Sequence, residues 1–316
     1  MKSLQRWFPF LSWPRPDAAL LRGEALAGLT VGLMVIPQGV AYAALAGMPL
    51  VTGIYASMLP ALVAVLFSSS TRLSVGPTAL SCLLVGTSLT GLAEPGSARW
   101  VELAVWLALL TGLLQVALGW VRFGWLLNLI SSPVLMGFTQ AAALLIIASQ
   151  LPALLGFAAG WSEMLQQPQI HLPSAAFGLI SLALLVLVRR WRPAFPSVLF
   201  IVVGTAAVSA GTGFEAAGGK VVGALPAGLP SLALPGWLDW STLGQLLLPT
   251  MVITLVSFLE TASSAKVENQ REGHRWNQDQ DLIGQGLAKI ASGLSGALPT
   301  SSSFSRSALN LYAGAK

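Results

Sequence analysis

The chain has 316 residues, 54% of them hydrophobic and 9% charged, with a mean hydropathy of +0.73. A water-soluble globular domain carries about 25% charge, so a solvated protein of this size is excluded. The net charge of +5 invites a nucleic-acid reading, but its distribution follows membrane topology instead.

The first 23 residues carry Lys2, Arg6, Arg15 and Arg22 with Pro9, Pro14 and Pro16, and read as a cytoplasmic N-terminal segment. The apolar run after them is too long for a signal h-region. Ala41-Tyr42-Ala43 imitates a cleavage site, yet the run resumes after the Gly47-Met48-Pro49 turn, so the first helix is read as uncleaved. Long uncharged runs follow, among them Ala25–Thr71, Leu103–Val121, Phe123–Ser162 and Trp240–Leu259. One span takes about 20 apolar residues, so these are membrane helices, singly or in pairs. Ten spans are expected, at residues 24–46, 50–67, 76–91, 101–120, 131–152, 175–189, 194–211, 243–265, 282–296 and 303–314. Gly and Pro scattered through them are tolerated where neighbouring helices satisfy the freed backbone groups.

Thr212–Trp240, rich in Gly and Pro, is a poor span and reads as a long outside loop dividing seven spans from three. Secondary transporters commonly consist of two inverted repeats, so seven plus three suggests a complete first repeat and an unfinished second. The expectation is a fragment of a longer transporter.

With the N-terminus inside, the cytoplasmic segments hold Lys2, Arg6, Arg15, Arg22, Arg72, Arg122, Arg189, Arg190, Arg192, Lys266, Arg271, Arg275 and Lys316. The outside segments hold Arg99 and Lys220. This positive-inside asymmetry assigns the basic excess to topology and to anionic lipid contact, not to nucleic acid.

Two of the expected helices are short and capped. Span three opens at Ser74-Val75-Gly76-Pro77-Thr78, with Pro read at the helix's first position; span ten opens at Pro299-Thr300-Ser301-Ser302-Ser303-Phe304-Ser305-Arg306. Short helices in corresponding positions of two repeats point to a binding site, and their free N–H groups attract an anion. The plainer reading is that the serines merely cap ordinary helices. Arg306 shifts the balance, because a cation within a span costs about 2.5–3.5 kcal/mol and needs a reason.

In span one, Pro37 frees a carbonyl, and Gln38 and Tyr42, four residues apart, share a face. They either line a cavity or bond a neighbouring helix. Glu260 is the one acid deep in an apolar run; it either carries a proton or forms a structural ion pair with Arg306 or Lys289. Lys289 either snorkels or pairs with Glu260. Cys82 has no partner, and His171 and His274 have no ligand cluster around them, so neither a disulfide, a metal nor a cofactor is expected. No nucleophile-and-base constellation or phosphate-binding loop supports an enzyme.

These residues resemble the sulfate permease (SulP) family of inorganic anion transporters, from Trp7-Phe8-Pro9 to the last residue. The resemblance is carried by Ile36-Pro37-Gln38-Gly39-Val40-Ala41-Tyr42-Ala43, Gly53-Ile54-Tyr55-Ala56-Ser57 and Arg72-Leu73-Ser74-Val75-Gly76-Pro77-Thr78-Ala79. It continues in Ser132-Pro133-Val134-Leu135-Met136-Gly137-Phe138-Thr139, Gly284-Gln285-Gly286-Leu287-Ala288 and Ser303-Phe304-Ser305-Arg306-Ser307-Ala308. It implies an all-α polytopic membrane protein with a seven-plus-seven inverted-repeat fold and short strands near Val75 and Leu298, before half-helices three and ten. Core-domain spans one to four would occupy 24–120, gate-domain spans five to seven 121–211, the outside loop 212–242 and core spans eight to ten 243–316. The remaining spans and a STAS domain would be missing, half the gate with them, and such a chain should not transport.

The resemblance also implies an elevator-type secondary transporter of a small inorganic anion, sulfate first and bicarbonate second. It would sit as a homodimer in the inner membrane of a bacterium. Carried over by position, the anion site comprises Gln38, Tyr42, Thr78, Ser303, Phe304, Ser305 and Arg306, and Glu260 matches an acid associated with proton or cation coupling. Three positions depart from the family pattern: Ser302 replaces a glycine, Thr71 a basic residue and Lys289 an asparagine. The rival readings are a nucleobase permease of the same fold and a non-transporting remnant or scaffold.

Overall fold

A computed structural model describes residues 8–13, 17–70, 73–129, 132–157, 161–166, 170–192, 195, 197–219, 221, 228–272, 276–312 and 315. Lys2, Arg6, Trp7, Arg15, Thr71, Arg72, Lys220, His274, Arg275 and Lys316 lie outside the described residues, as do the side chains of Lys266 and Arg271.

The described chain is helical almost throughout. In order it forms α1 (Ala18–Leu45), α2 (Leu50–Phe67), β1 (Val75–Gly76), α3 (Ala79–Leu89), α4 (Ala98–Trp120) and α5 (Ser132–Leu154). Then come α6 (Trp161–Gln166), α7 (Leu172–Trp191), α8 (Ser197–Thr212), α9 (Trp240–Glu272), α10 (Gln278–Leu294), β2 (Ser301–Ser302) and α11 (Phe304–Tyr312). All ten expected spans have a helix, and α6 is additional. Six are long and apolar enough to cross a membrane: α1, α2, α4, α7, Met136–Leu154 of α5 and Trp240–Ala265 of α9. The others are shorter, and α3, with 11 residues, reaches about half of a 30 Å bilayer core.

The chain separates into two compact units. One holds Met1–Thr139 with Leu225–Lys316, the other Gln140–Ala224. In the smaller unit, His171 caps α7 by accepting from the Ser174 amide, and its Nε2 bonds the Ala217 carbonyl at 2.9 Å. Phe214 packs edge-on against Phe177 beneath that cap.

In the larger unit, helices from the two ends of the chain interleave: α10 packs against α4 and α2, and α9 against α4 and α3. Small residues make this possible. A Cβ on Gly112 of α4 would stand 2.7 Å from the Gly286 carbonyl of α10, and one on Gly286 2.7 Å from the Gly112 carbonyl. Likewise a Cβ on Gly53 of α2 would overlap the Gly39 carbonyl of α1. Within a membrane, helix association relies on such close approach, because lipid removes the hydrophobic drive between helices. The apolar core gathers Ala43, Ala46, Val85, Leu89, Leu103, Leu107, Leu246, Ile253 and Leu298 around the indole of Trp100, whose Nε1 bonds the Ala46 carbonyl at 2.9 Å.

The start of α10 is clasped by polar contacts. Asp281, fully buried, accepts from the Ser69 amide at 2.6 Å, the Ser70 amide at 3.0 Å, both serine hydroxyls and Trp276 Nε1. Asp279 accepts from the Gly124 amide at 2.8 Å, and Gln280 Nε2 donates to the Phe67 carbonyl at 2.6 Å. The segment leading into β1 is thereby tied to the second half of the chain.

Candidate functional site

The two strands pair with each other. β1 and β2 run antiparallel, Val75 opposite Ser302 and Gly76 opposite Ser301. The Ser303 amide adds a bond to the Ser74 carbonyl at 2.9 Å, and the Ser74 amide donates to Ser307 Oγ at 2.9 Å. Each strand leads directly into a short helix, so α3 and α11 start from one ribbon.

Two sequence expectations shift here. Pro77 is not the first residue of α3: the helix starts at Ala79 with Thr78 as its cap, the Thr78 Oγ1 accepting from the Ser81 amide. The ribbon holds Gly76 extended, and the Pro77 carbonyl is taken by Arg306, which delays the helix. The second strand lies at Ser301–Ser302, beyond Leu298, because the turn after α10 engages the Leu298 carbonyl with Ser292 Oγ at 2.6 Å.

The Ser303 amide, expected to face an anion, is consumed by Ser74. The amides of Ala79 and Leu80 on α3, and of Phe304 and Ser305 on α11, have no acceptor among the described residues. They carry the positive end of each helix dipole. Ser303 Oγ accepts from the Arg306 amide at 3.4 Å and lies 3.3 Å from Ser305 Oγ, while Phe304 leaves its ring half exposed.

Arg306 is 2% exposed. Its Nη1 donates to the Pro77 carbonyl at 2.7 Å and to Gln38 Oε1 at 3.3 Å, and Nε approaches Ser74 Oγ at 3.4 Å. Its Nη2 is buried without an acceptor among the described residues, beside Gly76, where an added Cβ would stand 3.2 Å from it. Gln38 in turn donates from Nε2 to Tyr42 Oη at 3.1 Å. Gln38, Tyr42, Arg306, Ser303 and Ser305 thus form one hydrogen-bonded group that includes the Pro77 carbonyl, whereas Thr78 bonds Ser81 and Glu260 and Phe304 makes no bond to the group among the described residues.

Glu260 of α9 lies on the other side of the α3 cap. Its Oε2 accepts from Thr78 Oγ1 at 3.2 Å and from Ser81 Oγ at 3.3 Å. Among the described residues it forms no direct ion pair with Lys289 or Arg306. Lys289 neither snorkels nor meets Glu260 directly: it is fully buried and donates to Gln115 Oε1 at 2.7 Å and Ser257 Oγ at 2.6 Å.

Ser74, Ser81, Ser257, Ser301 and Gln115 take part without having been given a role in the sequence, as does Gln285, whose Nε2 donates to Ser302 Oγ at 2.8 Å. Gln115 and Gln285 were findable as amides inside small-residue or apolar runs; the serines were not, since a hydroxyl in a membrane helix commonly bonds its own backbone.

This geometry defines a membrane-spanning protein with the inverted-repeat transporter fold. The sulfate permease family model matches residues 21–316, and the chain belongs to that family, whose members are permeases and not enzymes. Among curated relatives, the "Probable sulfate transporter MT1781" of Mycobacterium tuberculosis (strain CDC 1551 / Oshkosh) is 35% identical over 297 residues, covering 92% of this chain and 53% of that protein. Among solved structures, the murine Solute Carrier 26 family member A9 anion transporter in the inward-facing state superposes with a TM-score of 0.89 at 22% identity, covering 100% of this chain and 57% of that one. The transmembrane domain of the cyanobacterial bicarbonate transporter BicA gives a TM-score of 0.82 at 21% identity, covering 96% and 79%. The chain spans about half the length of the curated relatives it matches.

Proposed function

We propose that the chain supplies the anion-binding part of a secondary active transporter for a small inorganic anion, with sulfate the first choice and bicarbonate the second. One observation carries the reading: a buried guanidinium, its Nη2 without an acceptor among the described residues, stands beside two helix N-termini whose first amides have none among the described residues either. Such a constellation suits an oxyanion, which takes charge-assisted bonds from Arg and dipolar bonds from amides. The family membership and the names of the relatives support the same substrate class.

In this reading Arg306, Gln38, Tyr42, Thr78, Ser303, Phe304 and Ser305 surround the anion, and Glu260 carries a coupling proton. Residues 24–120 and 243–316 form a core domain that moves as an elevator against gate residues 121–211, with 212–242 as an outside loop. The protein works as a homodimer in the inner membrane of a bacterial cell, its N-terminus in the cytoplasm.

Isothermal titration of sulfate into the 316-residue protein in lipid nanodiscs tests the site. Saturable binding that Arg306→Ala weakens is the expected result; affinity unchanged in the variant rejects it.

A further inference from the structure

Lys289 is a buried charge that the anion site as described does not use. Its ammonium is held by Gln115 Oε1 on α4 and Ser257 Oγ on α9, and Ser257 Oγ lies 3.0 Å from Ser301 Oγ. Ser301 pairs with Gly76 across the ribbon, two residues before Thr78, whose hydroxyl bonds Glu260. Two serine hydroxyls therefore lead from the buried ammonium to the ribbon beside the cap that Glu260 holds. Glu260 is the titratable group that acts on Lys289 among the described residues; Gln115, Ser257 and Ser301 are neutral. Around Glu260 stand Lys289, Arg306, Tyr42 and Cys82, with Thr78 and Ser81 contributing neutral hydroxyls.

We propose that Lys289, while protonated, supplies a second positive charge to the anion site and sets how many protons enter with each anion: one with a dianion, none with a monoanion. The inference rests on the reading of Arg306 as the cation that meets the anion. Its logic is that a low-dielectric interior penalises net charge. Arg306 and Lys289 bring two positive charges and ionised Glu260 one negative. A bound sulfate leaves one negative charge in excess, which disappears when a proton from solvent forms an O–H bond on the Glu260 carboxylate. A bound nitrate balances the same groups with Glu260 still ionised. Without Lys289, a monoanion would need that proton, and a dianion would stay uncompensated even with it.

Titration calorimetry of the 316-residue protein in nanodiscs, in buffers of different ionisation enthalpy, counts the protons taken up per anion. Wild type should take up about one with sulfate and about none with nitrate, because only the dianion leaves the buried site unbalanced. Lys289→Met should take up about one with nitrate and bind sulfate at least about tenfold more weakly. Equal counts for sulfate and nitrate in wild type, or counts that Lys289→Met leaves unchanged, would overturn the role of Lys289 while Arg306-dependent binding upheld the site itself. If neither anion binds, or binding ignores Arg306→Ala, the site reading fails and this inference with it. Should Lys289→Met not fold, the wild-type comparison of the two anions decides alone.

Discussion

Arg306 donates Nη1 to the carbonyl of Pro77 at 2.7 Å, so the cation of α11 rests on the residue that leads into α3. One side chain thus contacts both approaches to the candidate site, and its Nη2 has no acceptor among the described residues.

Arg306→Ala removes the cation and its hold on Pro77 and Gln38. Sulfate affinity should fall by about 1 to 3 kcal/mol, the range for a charge-assisted bond. Arg306→Lys should recover part of this, restoring charge without the planar fork. Calorimetric titration of the three proteins provides the comparison.

Glu260→Gln keeps the acceptor for Thr78 and Ser81 but cannot change charge. On the proposed coupling, in which a proton enters with the dianion, sulfate should bind wild type more tightly as pH falls and the Gln variant should show a flat profile. A slope equal to that of wild type would remove Glu260 from coupling.

Gly53→Ala drives a methyl group into the Gly39 carbonyl, an overlap that only backbone movement relieves. Overpacking of this kind costs about 1–3 kcal/mol, and more where backbone must move. A lowered thermal midpoint in detergent is the expected readout, with Gly23→Ala, which meets nothing within 4 Å, as the neutral control.

Asp281→Ala strips the acceptor from two amides and an indole N–H in one step. Buried donors left without partners cost about 1–3 kcal/mol each, so the loss should exceed that of Gly53→Ala. Asp281→Asn, which retains one carbonyl oxygen, should fall between. Thermal melts followed by tryptophan fluorescence rank the series.

Asp239 caps α9 from an exposed position. The Ser241 hydroxyl, then the Thr242 amide and hydroxyl, hold its carboxyl below the usual carboxylate range. A lowered folded-state value means that the cap stabilises fully above the unfolded value of about 3.9 and weakens as pH drops through the folded one. The difference in melting midpoint between wild type and Asp239→Ala should therefore be constant near neutrality and shrink in acid.

Much of the fold was legible because membrane helices announce themselves by length and lack of charge: the limits of α2, read as 50–67, match Leu50–Phe67. The two half-helices were legible from Pro77 and the 299–305 run, since a capped apolar helix too short to cross the bilayer must end inside it. Their starting residues were not, because the pairing of Val75 with Ser302 links positions far apart in sequence and decides where each helix begins. Gln38, Tyr42 and Arg306 stood out as polar groups in apolar surroundings. The same logic flagged Lys289 but not its partners, because helices from distant parts of the chain must pack before Gln115 and Ser257 meet it. The clasp on Asp281 was illegible for a related reason: its serine donors, Ser69 and Ser70, lie 212 and 211 residues before it, and an acid near a helix start looks like an ordinary cap.

The ribbon of Val75–Gly76 and Ser301–Ser302 works like a rivet through two plates. A hinge between α3 and α11 would have to shear its hydrogen bonds, so the amides that open the two helices are held at a fixed spacing. On the proposed reading, whatever opens a path to one face of the membrane or the other acts outside this joint, and an ion seated there would feel the same grip from whichever compartment it had come.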